Sequence, residues 1–118
     1  GQKDFDFKKA RKILNNKILG VTCHNSVNLV HKAIENKADY IALGAFFPSK
    51  TKKVKFFADF KTLKIVKKFS KINIVAIGGI NYHNYRKVLL NNANFLAISS
   101  YIWKNKKYKP LQALERLK

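Results

Sequence analysis

Apolar residues along this chain fall into two alternating patterns. Continuous runs of strand length, rich in Val and Ile, lie at 18–23, 40–43, 72–77 and 95–98. They show little polar alternation, as expected of strands covered on both faces. Between them, apolar residues recur at helical spacing. Val27, Val30, Ala33 and Ile34 fall on one helix face. Leu63, Val66 and Phe69 fall on another, with Lys61, Lys64 and Lys67 turned outward. Tyr85, Val88 and Leu89 mark a third helix, and Leu111, Leu114 and Leu117 a fourth. A short helix is expected at 8–14, with Asp6 as its N-cap.

The order is one helix followed by four strand–helix units. Units repeating every ~22–32 residues predict parallel strands with right-handed crossovers. No linker or low-complexity stretch divides the chain, so residues 1–118 read as a single partial α/β domain. Four parallel strands can form an open layered sheet. They can also form half of a TIM (β/α)8 barrel, which takes ~250 residues when whole. The chain is too short for the whole barrel.

Composition narrows the class. The apolar share of 47% is that of a globular chain and argues against wholesale disorder. No apolar run is long enough to span a bilayer, and the polar N-terminus has no signal-peptide pattern. With the single Cys23, a cytoplasmic setting is expected. Net charge is +19, which first suggests nucleic acid. The excess, however, is lysine; the arginines are Arg11, Arg86 and Arg116. Guanidinium is the group that forks onto phosphate and guanine, and these lysines are spread along every segment. A solvated lysine-rich surface is the expectation, with neither a nucleic-acid nor a membrane partner.

Ligand groups in βα folds come from the C-terminal ends of the strands. Those ends read Thr22-Cys23-His24-Asn25, Gly44-Ala45-Phe46-Phe47-Pro48-Ser49, Gly78-Gly79-Ile80-Asn81 and Ser99-Ser100-Tyr101. Gly78 and Gly79 let backbone approach a ligand closely. Ser99 and Ser100 offer hydroxyls and N–H groups ahead of a helix, where an anion is favoured. Ser49 and Thr51 add hydroxyls, and Lys52 adds a full charge. Alone, a glycine pair is also the mark of a tight turn, and a lysine loop is what this composition yields anywhere. Together the four ends suit phosphate-bearing ligands.

Several stretches, in order, resemble the thiamine-phosphate synthase family. GQKD at 1–4 is similar to that family's GQ-x-D, and ILGVTCHN to its strand-five segment. ADYIALGAFFPSKTKK resembles its ADY…G-x-x-F-P-T-x-T-K, IVAIGGIN its glycine pair, and LAISSYIW its last strand. The resemblance covers essentially the whole chain. It implies the C-terminal half, units five to eight, of a (β/α)8 barrel. It also implies a magnesium-dependent transferase that couples a pyrimidine methyl diphosphate to a thiazole ethyl phosphate, releasing pyrophosphate.

By that resemblance Asp4 would be one of two magnesium-binding aspartates, and Thr22 would contact the diphosphate substrate. Ser49 and Thr51 would hold the thiazole phosphate, and Lys52 the diphosphate, with the catalytic charge. Gly79, Ser99 and Ser100 would complete the thiazole-phosphate cradle. The family's other magnesium aspartate and its basic strand precede Gly1, so this chain is expected to be inactive alone. Ser49 stands where the family often has Thr, and Tyr101 where it often has a small residue.

Two alternatives accompany this reading. The related thiazole tautomerase shares the fold, but tends to carry a catalytic His where this sequence has Ala45. A non-catalytic half barrel that binds phosphate or nucleic acid through its lysines is the other. Cys23 is expected to be a packed thiol, Trp103 to be packing, and His24, His31 and His83 to lack metal-site spacing. An exposed apolar inner face predicts self-association.

Overall fold

The structure is a computed structural model that describes residues 6–49 and 57–118. Helix α1 (Phe7–Leu14) precedes β1 (Gly20–His24), α2 (Val27–Glu35) and β2 (Tyr40–Gly44). Next come α3 (Phe60–Phe69), β3 (Asn73–Ile77), α4 (Tyr85–Leu90) and β4 (Phe95–Ala97). Two short helices close the chain, α5 (Ser100–Trp103) and α6 (Pro110–Glu115). The helix starts follow the capping logic of the sequence. Asp6, Ser26 and Asp59 each accept a backbone N–H of their own helix, from Lys8, Leu29 and Lys61.

The four strands are parallel and lie in the order β1-β2-β3-β4. This order separates the two architectures left open by the sequence. A strand order without reversal, with crossovers of one hand, places every helix on the same face of the sheet. That is the winding of a barrel, here four units of it. Alternate strand residues carry the covered face: Val21 and Cys23, Ile41 and Leu43, Ile74 and Ala76 are buried. They meet Val30 and Ala33 of α2, Leu63 and Val66 of α3, and Val88 of α4 in one core. Each fully buried aliphatic side chain there contributes about 1.5–3 kcal/mol.

The other face does not match the expectation of double-sided burial. Tyr40, Ile77 and Phe95 point away from the helices and remain 36, 42 and 57% exposed. In a closed barrel this face would line the interior. Two further expectations are corrected. Trp103, expected to pack, is 73% exposed at the end of the four-residue α5. In α6 the buried residue is Ala113, while Leu111 and Leu114 stand exposed, because this short helix rests on α5 and not on the sheet. The chain end is fastened instead by Arg116. Its guanidinium lies 4.7 Å from the Tyr82 ring and 4.6 Å from the Tyr108 ring.

Candidate functional site

Register decides which strand ends can share a ligand. Gly44 pairs with Ile77, and Ile77 with Ala97, so β2, β3 and β4 end level with one another. Their following loops leave from the same edge of the sheet. β1 carries a register shift between Thr22 and His24, and His24 adopts φ 51°. Thr22 pairs with Ala42 on the face turned away from the helices, and it is half-buried.

The loops after β2 and β3 are joined backbone to backbone. Phe46 N–H donates to the Ile77 carbonyl at 3.1 Å, and Phe47 N–H to the Gly78 carbonyl at 3.2 Å. Gly78 and Gly79 adopt φ of +101° and +63°, a region that side-chain-bearing residues rarely enter. Space imposes the same choice. A Cβ on Gly78 would stand 2.3 Å from the Ala45 Cβ. One on Gly79 would stand 2.5 Å from the Pro48 carbonyl oxygen. The glycine pair therefore does two things: it makes the turn, and it lets the turn pack against residues 45–48. Ser49 follows directly on that packed stretch.

Ser99 and Ser100 lie just beyond β4, on the far side of the glycine pair from Ser49 in strand order. Ser99 caps α5 without a side-chain cap bond. α5 spans four residues, too few for a substantial helix dipole. The Tyr101 hydroxyl is buried and has no hydrogen-bond partner. The ring is thus turned inward beside the Ser99-Ser100 loop.

The structure brings Ser49, Gly79, Ser99 and Ser100 to adjacent strand ends and sets Thr22 on the open face of β1. Asp4, Thr51 and Lys52 lie outside the described residues. The flanks of the 50–56 segment are fixed to one strand end, since Ala58 N–H donates to the Ala45 carbonyl at 2.7 Å. Asn25 Oδ1 accepts the Asp59 N–H at 2.9 Å and links the β1 loop to the start of α3.

The remaining candidates behave as packing or surface groups. Cys23 is fully buried, and its thiol donates to the Val21 carbonyl at 3.6 Å. Burial pushes its pKa from 9.0 up to about 12, so it stays protonated and is not a nucleophile. His31 stacks on Phe69 at 4.4 Å on the helix surface. Among the described residues, no group of three or more His, Cys, Asp or Glu side chains is placed to hold a metal ion. No described helix is long and apolar enough to cross a membrane.

The sequence did not single out Asn81 and Asn84. Both send side chains to the glycine turn: Asn81 Nδ2 and Asn84 Nδ2 donate to the Gly79 carbonyl at 3.4 and 3.0 Å. Their spacing after Gly-Gly was the available signal, hidden by the abundance of asparagine elsewhere.

Comparison with known proteins agrees with the fold. Residues 1–102 match the family described as thiamine monophosphate synthase. The chain belongs to that family. The thiamine-phosphate synthase of Pelagibacter ubique is 64% identical over all of this chain and 57% of its own length. That of Rhodospirillum centenum is 39% identical over 87% of this chain and 50% of its own length. Among solved structures, the thiamine phosphate pyrophosphorylase from Pyrococcus furiosus superposes with a TM-score of 0.83 at 29% identity. That superposition covers 98% of this chain and 54% of the other. The chain thus spans about half the length of the thiamine monophosphate synthase family members it matches, and its four βα units are half of a (βα)8 barrel.

Proposed function

We propose that this chain forms the C-terminal, phosphate-holding half of a thiamine-phosphate synthase. The observation that carries the reading is the level alignment of three strand ends. One bears a glycine pair zipped to the Ser49 loop, and the next bears Ser99-Ser100. Backbone N–H groups and hydroxyls carried by these neighbouring ends would suit the phosphate of a thiazole ethyl phosphate. In this proposal Ser49, Thr51, Gly79, Ser99 and Ser100 hold that phosphate. Thr22 and Lys52 hold the diphosphate of the pyrimidine substrate, with Lys52 stabilising the negative charge that develops on the leaving group.

The bond from the pyrimidine methylene to the diphosphate breaks with its electron pair, which leaves on pyrophosphate. The aminopyrimidine delocalises the resulting cation, and the thiazole nitrogen forms the new bond to that carbon. This reaction asks for positioning and charge screening more than for acid–base groups. Asp4 would take a magnesium ion, whose chemistry when bound is to screen diphosphate charge. The family match and the names of the relatives support the synthase reading as such. Cytoplasmic location fits the same proposal.

The test is a coupling assay on the complete natural protein with both substrates. Formation of thiamine phosphate with stoichiometric pyrophosphate, dependent on magnesium and reduced about 100-fold or more by Lys52→Ala, is expected. Tautomerisation of a thiazole carboxylate phosphate without coupling would assign the tautomerase reaction instead.

A further inference from the structure

Asn84 is the N-cap residue of α4, where an asparagine side chain ordinarily accepts a backbone N–H of its own helix. It makes no such bond. Its side chain reaches back along the chain. Oδ1 accepts the Asn81 N–H at 2.8 Å, while Nδ2 donates to the Gly79 carbonyl at 3.0 Å. Entry into the helix is served by Asn81. The Asn81 carbonyl accepts from the Asn84 and Tyr85 N–H groups at 3.2 and 3.0 Å, and its Oδ1 accepts from the His83 N–H at 2.8 Å. The Asn84 amide is therefore committed to the glycine turn and not to its own helix.

Gly79 needs that commitment. Two successive glycines have many accessible backbone conformations, so sterics alone do not fix which way their peptide planes face. On one side the Phe47 and Pro48 carbonyls back Gly79. On the other, Asn84 takes its carbonyl at 3.0 Å, with Asn81 Nδ2 reaching the same oxygen at a longer 3.4 Å. A trans peptide points its carbonyl and the next N–H in opposite directions. With the Gly79 carbonyl held by Asn84, the Ile80 N–H faces away from Asn84. A flip that would present a carbonyl oxygen to a bound anion is opposed.

We infer that Asn84 is a positioning residue for the phosphate cradle, fixing the Gly78-Gly79 turn so that it offers N–H groups to the thiazole substrate's phosphate. This inference rests on the phosphate reading proposed above. Asn84 acts through Gly79 and touches no reacting atom.

Steady-state kinetics of Asn84→Asp and Asn84→Ser in the complete natural protein test it. Asp and Ser both cap helices well, so α4 keeps a competent N-cap in either variant. An aspartate keeps the shape and the acceptor for Asn81 but loses the shorter of the two donors to Gly79 and adds a negative charge. A serine is too short to reach that carbonyl and adds no charge, so an effect shared by both variants reports the lost donor. Both variants are expected to raise KM for the thiazole phosphate about tenfold, the scale of one lost net hydrogen bond. Competitive inhibition by inorganic phosphate weakens by a similar factor. The loss falls on that KM more than on kcat or the KM for the pyrimidine diphosphate, and Tm stays within about 3 °C of wild type.

A folded Asn84→Asp enzyme with unchanged KM overturns the inference. So does a parallel loss in both KM values and kcat, or failure of both variants to fold, since Asn84 would then hold the fold and not the turn. A wild type indifferent to inorganic phosphate removes the phosphate reading, and this inference with it. A wild type inhibited by phosphate beside an equally inhibited Asn84→Asp overturns the role of Asn84 alone.

Discussion

Asp39 shows how one side chain secures the end of the sheet opposite the candidate site. Its Oδ2 accepts the Leu19 N–H and an Arg11 N–H, each at 2.7 Å. The same Arg11 donates to the carbonyls of Asn15, Lys17 and Lys37 at 2.8, 2.9 and 2.6 Å. One ion pair thereby joins α1 to the chain entering β1 and β2. The Leu19 N–H first, and the Arg11 side chain second, hold the Asp39 carboxyl below its ordinary value of 3.8. The folded state then binds fewer protons than the unfolded state in that range. The stabilisation is present above the ordinary value and is lost as pH falls through the lowered one. Asp39→Asn should lower Tm at neutral pH and flatten the fall of Tm with pH below about 4. Thermal melts across pH 2–6 check this; an acid limb as steep as that of wild type would contradict it.

At the scale of elements, the strands were legible in the sequence and the contacts between loops were not. All four apolar runs became strands, with edges moved by two residues or fewer: the run at 40–43 is β2 (Tyr40–Gly44), and that at 72–77 is β3 (Asn73–Ile77). Strand position is written in local composition, so a pattern can find it, although it does not tell that only one face of the sheet is covered. The helix faces held at Val30, Ala33, Leu63, Val66 and Val88, whereas Phe69 and Leu89, expected on the same faces, are each 42% exposed in the last turns of α3 and α4. Trp103, Leu111 and Leu114 were misjudged because short helices α5 and α6 pack on each other, a relation that periodicity does not encode.

The Gly78-Gly79 turn was visible as a turn. Its fit against Ala45 and its asparagine clamp were not, because both are long-range or side-chain-to-backbone contacts. The fit predicts that Gly78→Ala costs about 2 kcal/mol or more, through positive φ and the collision with Ala45. Chemical denaturation reads that loss; a variant as stable as wild type would show that the two loops are not packed as described.

For the whole molecule, four consecutive parallel strands leave β1 and β4 as sheet edges among the described residues. They also leave Tyr40, Ile77 and Phe95 on an uncovered face. Unpaired edges and apolar area favour association. The 118-residue chain on its own should sediment with a concentration-dependent mass. A single monomeric species that melts cooperatively would contradict an open half barrel.

The proposed site is likewise spread over several strand ends. The central claim is that these aligned ends hold the phosphate of the thiazole substrate. Calorimetric titration of the complete natural protein with the thiazole phosphate, and with the same thiazole lacking its phosphate, tests it most directly. Several charge-assisted hydrogen bonds to one phosphate predict an affinity about 100-fold or more in favour of the phosphorylated ligand. Equal affinity for the two ligands would contradict the claim.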